Sequence, residues 1–351
     1  LPAPRFHAPD DFLINRGDGR FEEITESAGM RVPGGNGLGI VAADFGGAGR
    51  LSLFVANDQD GNFYFANRTP LAGGCPRFEE RGIVSGLTYD GNGKAKASMG
   101  VAAADANGDG KIDLFVTVFA EEASTLYVQE DAELFVDISG PSGLAEPSFA
   151  MLGFGTQFLD GELDGLIDLV VANGHVHEFP SEGVSGAMRP QYFRNTGAGR
   201  FKEIAASSLG AYFQHRYFGR GMARIDWNRD GREDFAVSSL EAPAALVTNQ
   251  TEQPGHYLAV QLRGVLSSRD AIGAAVTVQV GHRLQVQWLT AGDGYQASNQ
   301  RQLIFGLGAS TRANRLSILW PSGLTQEFSD LAADQELIFV ELSPQVTVLP
   351  R

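Results

Sequence analysis

The stretch Asp105-Ala106-Asn107-Gly108-Asp109-Gly110-Lys111-Ile112-Asp113 sets oxygen-bearing side chains at positions 1, 3, 5 and 9, with a glycine after the third. A tight turn uses positive φ at such a glycine. Alternate oxygens on a sharply turned loop converge on one point. Hard oxygens there suit Ca²⁺, which takes 6 to 8 of them in flexible geometry. A single copy would serve equally well as an ordinary Asp/Asn/Gly hairpin turn. The motif returns, however, at Asp160-Gly161-Glu162-Leu163-Asp164-Gly165-Leu166-Ile167-Asp168 and at Asp226-Trp227-Asn228-Arg229-Asp230-Gly231-Arg232-Glu233-Asp234. Each copy runs into an apolar segment: Leu114-Phe115-Val116, Leu169-Val170-Val171 and Phe235-Ala236-Val237. Three copies in one context favour calcium over the plain turn, and about three ions are expected.

The expected ligands are Asp105, Asn107, Asp109 and Asp113 in the first full loop, then Asp160, Glu162, Asp164 and Asp168, then Asp226, Asn228, Asp230 and Asp234. Lys111, Leu166 and Arg232 stand at position 7, where calcium loops use a main-chain carbonyl. Asp113, Asp168 and Asp234 begin the following strand and should tie metal to sheet. An upstream relic, Asp44 to Ser52, keeps the first Asp but has Gly46, Ala48 and Ser52 at positions 3, 5 and 9. That loop is expected to turn without an ion, with Asp44 accepting backbone N–H groups of its own turn.

The four loops begin at 44, 105, 160 and 226, a period of about 60 residues that calls for a repeat architecture. Around the loop at 105, strands are expected at 99–105, 113–119, 125–130 and 133–139. The same order fits 38–44, 51–57, 62–67 and 76–81, and again 154–160, 168–173, 191–195 and 199–204. The last unit offers 221–226, 234–240 and 244–249. Four antiparallel strands per repeat make the blade of a β-propeller, with each acidic loop joining a blade's first and second strands. Segments 11–16 and 19–25 match third and fourth strands, so a half blade opens the chain. It could complete the last blade and close a four-bladed ring, but only 19–25 would be needed for that. Upstream sequence is the preferred expectation, in keeping with a chain that opens on Leu1 and shows no signal peptide.

Past residue 250 the acidic loops stop. Strands of a separate β module are expected at 256–262, 274–280, 283–289, 316–319 and 336–342. The expected division is blades over 1–250, this module over 251–342, and a frayed tail over 343–351.

At these residues the chain resembles the FG-GAP/VCBS-type calcium-binding propellers with a C-terminal ASPIC/UnbV domain, the cartilage acidic protein family. The propeller part of the resemblance rests on the three full loops, on Val171-Ala172-Asn173-Gly174-His175-Val176 and on Gly219-Arg220-Gly221. The C-terminal part rests on Ser268-Arg269-Asp270-Ala271-Ile272-Gly273-Ala274, Gly292-Asp293-Gly294-Tyr295, Phe305-Gly306-Leu307-Gly308 and Trp320-Pro321-Ser322-Gly323. The resemblance implies an all-β chain: part of a larger, seven-bladed type of propeller plus a C-terminal β-sandwich or barrel-like module. The departure is the relic loop. The biochemical role of the family is poorly defined, so the resemblance bears on architecture and metal more than on function.

A net charge of −15 argues against a nucleic-acid phosphate partner. No apolar run approaches the roughly 20 residues of a membrane helix. Calcium loops fill readily outside the cell, which favours an extracellular or periplasmic, secreted setting. Cys75 is the only cysteine and reads best as a small buried thiol. His175 and His177 could be metal ligands or a base, but without a third ligand nearby they read as a packed loop. The insertion 174–190 could bind a ligand, because long loops gather on one propeller face. Glu178 with Glu182 could form a catalytic pair, though solvated loop charges are the simpler reading. His215-Arg216-Tyr217-Phe218 could hold a sugar or anion, or simply staple a connecting loop. Ser181 and Ser185 lie in no Gly-x-Ser-x-Gly elbow, and no phosphate-cradling Gly-Lys-Ser/Thr loop occurs. Asn67 and Asn249 open glycosylation sequons. Trp288, Tyr295 and Trp320 could form a binding platform, with core packing as the simpler reading. The expected function is therefore a non-enzymatic, calcium-stabilised interaction protein, an adhesion or scaffold module with a protein or glycan partner. The alternative is an enzyme or biosynthetic accessory with a site on the propeller face.

Overall fold

A residue run such as Leu114 to Val116 is apolar at every position and not at every second one, and the whole segment Asp113 to Val118 is buried. Such a strand must be buried on both faces, and the blades explain how. The computed structural model describes residues 10–70, 74–178 and 186–350. Strands β1 (Leu13–Asn15) and β2 (Phe21–Glu23) form the half blade. Blade 1 holds β3 (Gly37–Ala43), β4 (Ser52–Asn57), β5 (Phe63–Asn67) and β6 (Phe78–Glu80). Blade 2 holds β7 (Ser98–Ala104), β8 (Asp113–Val118), β9 (Thr125–Asp131) and β10 (Leu134–Asp137). Blade 3 holds β11 (Gly153–Leu159), β12 (Asp168–Asn173), β13 (Gln191–Asn195) and β14 (Phe201–Glu203). Blade 4 has only β15 (Gly219–Ile225), β16 (Asp234–Ser239) and β17 (Ala245–Val247) among the described residues.

Successive side chains of a strand point to opposite faces. Val101, Ala103, Leu114 and Val116 therefore pack on Phe54, Tyr64 and Ala56 of blade 1, while Ala102, Phe115 and Leu126 pack on Phe158, Leu169 and Phe193 of blade 3. Met222, Phe235 and Val237 of blade 4 meet Leu159, Val170 and Ala172 in the same way. Each such large side chain contributes about 1.5–3 kcal/mol on burial, so the stacking of blades is hydrophobic work and the acidic loops are not needed for it.

The C-terminal module is a β-sandwich. Its strands are β18 (His256–Arg263), β19 (Ala275–Val280), β20 (Arg283–Trp288), β21 (Ala291–Gly292), β22 (Leu303–Gly308), β23 (Arg312–Leu319), β24 (Thr325–Ala332), β25 (Gln335–Val340) and β26 (Val346–Leu349). One sheet runs β22-β18-β25-β26, with β18 and β25 parallel, and the other runs β20-β19-β23-β24. Their shared core includes Leu258, Val276, Phe305, Leu316, Trp320 and Phe339. The expected frayed tail is corrected here: Val346 to Leu349 pairs with β25, because Val346 packs on the sandwich core.

β21 belongs to neither sheet. It pairs with β3, Ala291 opposite Ala42 and Gly292 opposite Val41. The segment 290–302 then meets the first strand of every blade. Gly294 and Val101 exchange backbone hydrogen bonds. Asn299 Nδ2 donates to Gln157 Oε1 at 2.9 Å, and the Arg224 N–H donates to Asn299 Oδ1 at 2.9 Å. A β-carbon on Gly292, whose φ is 79°, would lie 2.1 Å from the Ile40 carbonyl oxygen, so only glycine permits the approach. A finger of the sandwich thus spans from blade 1 to blade 4 between their first strands. β2 pairs with β1 and does not complete blade 4, so the alternative of a four-bladed ring closed by 19–25 does not occur.

Candidate functional site: the acidic loops under the sandwich

Each loop is closed by its own first and last acid. Asp105 accepts N–H groups of Gly108, Asp109 and Gly110 at 2.8, 3.0 and 2.8 Å. Asp160 accepts those of Asp164 and Gly165, and Asp226 those of Asp230 and Gly231. Asp113 uses one oxygen for the Ala106 N–H and the other for the Gln129 N–H on the third strand, both at 2.9 Å. Asp168 does the same with Gly161 and Asn195, and Asp234 with Trp227 and Asn249. The relic loop keeps the scheme. Asp44 accepts N–H groups of Ala48 and Gly49 at 3.0 and 2.7 Å, and the Ser52 hydroxyl accepts the Asn67 N–H. Asp44 is therefore bonded within its turn as expected, but so is every first-position Asp, and the bonds do not distinguish the relic.

Asp113, Asp160, Asp168 and Asp234 are at most 1% exposed. Burial pushes Asp113 and Asp160 up to about 8, and neighbouring carboxylates add to the rise. Asp234 rises to about 6 for the same reasons, and Asp168 rises through burial and Glu162. The fifth-position acids turn to cations: Asp109 to Lys111 at 3.2 Å, Asp164 to Arg194 at 3.9 Å, and Asp230 to Arg232. Glu162 also meets Arg194, at 3.2 Å. Asn107 and Asn228 accept the N–H groups of Asp109 and Asp230. Among the described residues no three His, Cys, Asp or Glu side chains converge as a finished metal cage. The donor set is all hard oxygen, which fits Ca²⁺ and not the softer-ligand metals. An ion in these loops would compete with the Lys and Arg partners for the fifth-position acids.

The sandwich sits on these loops. Leu163, 1% exposed, packs with Tyr257, Ala259 and Ile304, and its carbonyl accepts the Gly308 N–H at 2.9 Å. A β-carbon on Gly306 would lie 2.0 Å from an Asp160 carboxylate oxygen. Arg229 holds Glu336 at 2.6 Å. Leu163 and Arg229 occupy the same loop position at φ of 56° and 57°, where a side chain costs roughly 1 kcal/mol. Docking on the sandwich offsets that cost. Val286 faces Gly110 and Leu51 faces Gly273, so all four loops turn toward the sandwich.

Glu233 was not singled out by the repeat, because only the third full loop has an acid at position 8. It is buried, receives the Asp160 N–H and pairs with Arg224 at 2.9 Å. The amides of Gln129, Asn195 and Asn249 were missed too, since each acts on a loop some 85 residues upstream.

Other candidates fall out as packing or surface. Trp320 and Tyr295 are buried and Trp288 packs against the core between blades 1 and 2, so they form no platform. Tyr212 stacks on Tyr217 at 4.9 Å and Phe218 is buried, which makes 215–218 a stapled connection. His175 lies edge-on to Phe119 at 5.0 Å and accepts the His177 N–H; burial lowers its pKa. Ser181, Glu182 and Ser185 lie outside the described residues. Cys75 is exposed, not buried, because it sits on the surface connection between β5 and β6. No helix among the described residues is long and apolar enough to cross a membrane. A cleft of about 550 Å³ opens between blades 3 and 4, lined in part by Leu209, Phe213, Val247 and Asn249.

The geometry defines an all-β protein with propeller-type blades and a sandwich docked on their loop face. Residues 264–345 match the family model described as ASPIC and UnbV, so the sandwich is an ASPIC/UnbV domain. No curated protein matches the chain. Among solved structures the chain is similar to an Agrocybe aegerita lectin that recognises non-reducing terminal N-acetylglucosamine. That match has 14% identity and a TM-score of 0.34, covering 68% of this chain and 74% of the lectin. The chain is also similar to the BP39L lectin of Burkholderia pseudomallei, at 12% identity and a TM-score of 0.37 over 90% of each chain.

Proposed function

We propose that this protein is a calcium-stabilised interaction module of the extracellular or periplasmic space, with FG-GAP/VCBS-type blades and a protein or glycan partner. The observation that supports it is the placement of the three full loops. Their first- and last-position carboxylates are buried where blades meet the ASPIC/UnbV sandwich, as with Asp160 against Gly306. Anions gathered in such a seam repel one another, and a divalent ion there would bind blade and sandwich together. The ions would then be structural, and binding would fall to the exposed loops and edges of the assembled domain. Isothermal titration of the metal-free chain with calcium tests this. About three sites are expected; absence of saturable binding would remove the reading.

A further inference from the structure

We propose that the open edge of β17 in blade 4 is a docking site for an extended peptide strand with an aromatic residue at its centre. Blades 1 to 3 show what such an edge takes. In each, one third-strand residue presents its main-chain groups outward. Tyr64, Leu126 and Tyr192 accept with their carbonyls the N–H groups of Arg81, Ile138 and Ile204, at 2.8 to 2.9 Å. The N–H groups of Tyr64 and Leu126 donate to Glu80 Oε1 and Ser139 Oγ. In the half blade Phe12 does both, with the Ile24 N–H and Thr25 Oγ1.

Leu246 is the same residue of blade 4. It lies opposite Ala236, as Tyr192 lies opposite Val170. A strand residue aims its N–H and C=O at the same edge. The N–H and C=O of Leu246 find no partner among the described residues, and its side chain is 50% exposed. An edge of this kind is a template for strand addition.

The seat beyond that edge is also built. Elsewhere it is filled by Phe78, Phe135 or Phe201, the last two 3% and 6% exposed. The turn after the preceding blade closes on that Phe: β-carbons on Gly29, Gly86 and Gly143 would lie 2.4 to 2.7 Å from the carbonyl oxygens of Phe78, Phe135 and Phe201. At blade 4 the turn carries Leu209 at this place, nothing lies within 4 Å of a β-carbon on Gly210, and the cleft of about 550 Å³ stands in the seat. Leu209 keeps an incoming strand from coming as close as the others, and the cleft leaves room for it to lie further out. The occupant is thus a strand of the pattern Phe-x-acid, as in Phe78-Glu79-Glu80, Phe135-Val136-Asp137 and Phe201-Lys202-Glu203, and its next residue gives its N–H to the Leu246 carbonyl. The chain itself contains such a sequence in Gly19-Arg20-Phe21-Glu22-Glu23-Ile24-Thr25, whose Phe21 is 64% exposed.

The proposal narrows the interaction reading to a class of partner, but it stands on the sheet edge and not on calcium. A fluorescein-labelled peptide of residues 19–25, titrated with the full chain and followed by anisotropy, tests it. Saturable binding is expected, weakened by about tenfold when the peptide carries Phe21→Ala. In the protein, Leu246→Pro removes only an outward N–H of an edge strand, and Gly210→Trp fills open space. Each should weaken binding by about tenfold while leaving the melting temperature unchanged. No saturable binding, or equal binding to both variants, overturns the proposal. So does a fall in melting temperature in Leu246→Pro without peptide binding, which would mean that the chain already covers this edge itself. Failure of the calcium titration would leave these outcomes intact.

Discussion

The side-chain amide of Asn195 donates to the carbonyl of Ala106 at 2.9 Å, across the boundary between blades 3 and 2. Ala106 is the second residue of the acidic loop in the preceding blade. The pattern repeats on both sides: Gln129 donates to the Phe45 carbonyl and Asn249 to the Gly161 carbonyl, at 2.6 and 3.0 Å. The backbone N–H of each amide residue meanwhile donates to the last acid of its own loop. The loops are therefore chained blade to blade by hydrogen bonds that need no ion.

Asn195→Ala should cost about 2 kcal/mol, because it strips donors from the buried carbonyls of Ala106 and Ile167. Chemical denaturation, with and without calcium, would measure it. A loss below about 0.5 kcal/mol would deny the chain of amides a structural role.

Calcium should raise the melting temperature by many degrees relative to chelator. Each site occupied at a hundredfold excess over its dissociation constant adds about 2.7 kcal/mol. Superimposable melting curves would sink the structural role of the ions. Anomalous diffraction from crystals soaked in a heavier calcium mimic should show peaks at the loops of Asp105, Asp160 and Asp226. The loop of Asp44 has a single carboxylate and should show none.

Asp113→Asn should destabilise the chain even in chelator when the pH is above the value of about 8 to which burial pushes Asp113, where both its oxygens are acceptors. Both oxygens of Asp113 accept N–H groups, and an Asn can offer only one acceptor and sets an NH₂ against the other donor. A loss of about 2 kcal/mol without calcium is expected, and a larger one with it. A variant as stable as the parent in chelator would confine Asp113 to metal binding.

Glu341 supplies the acid sensitivity of the sandwich. It is 1% exposed, and burial alone would raise its pKa. The N–H groups of Val265, Leu266 and Ser267 and the hydroxyls of Ser267 and Ser322 override burial and draw it from 4.5 down to about 2. A lowered folded pKa contributes stability above the unfolded value, and that contribution is lost as pH falls from 4.5 toward 2. Glu341→Gln should therefore flatten the fall in melting temperature between those limits and cost about 2 kcal/mol at neutral pH. An unchanged slope would place the acid sensitivity elsewhere.

The repeat was legible because its signals are local. Asp at the first position, glycine at the sixth and Asp at the ninth close one hairpin through bonds within nine residues, and two-sided burial writes an unbroken apolar run after each. The strands followed to within a few residues, including the three of blade 4. In the C-terminal module β21, β22, β24 and β26 were missed. β24 alternates exposure along a solvated face, and β22 contains Gly306, which admits the Asp160 loop. What only the tertiary structure decided is where the segments meet. The sandwich on the loop face, the finger from β21 to Gln302, the amides reaching back to the preceding blade and the bare edge at Leu246 all join residues far apart in the chain. Such contacts depend on the relative placement of whole sheets, and placement leaves no period or motif in the amino acids that make it.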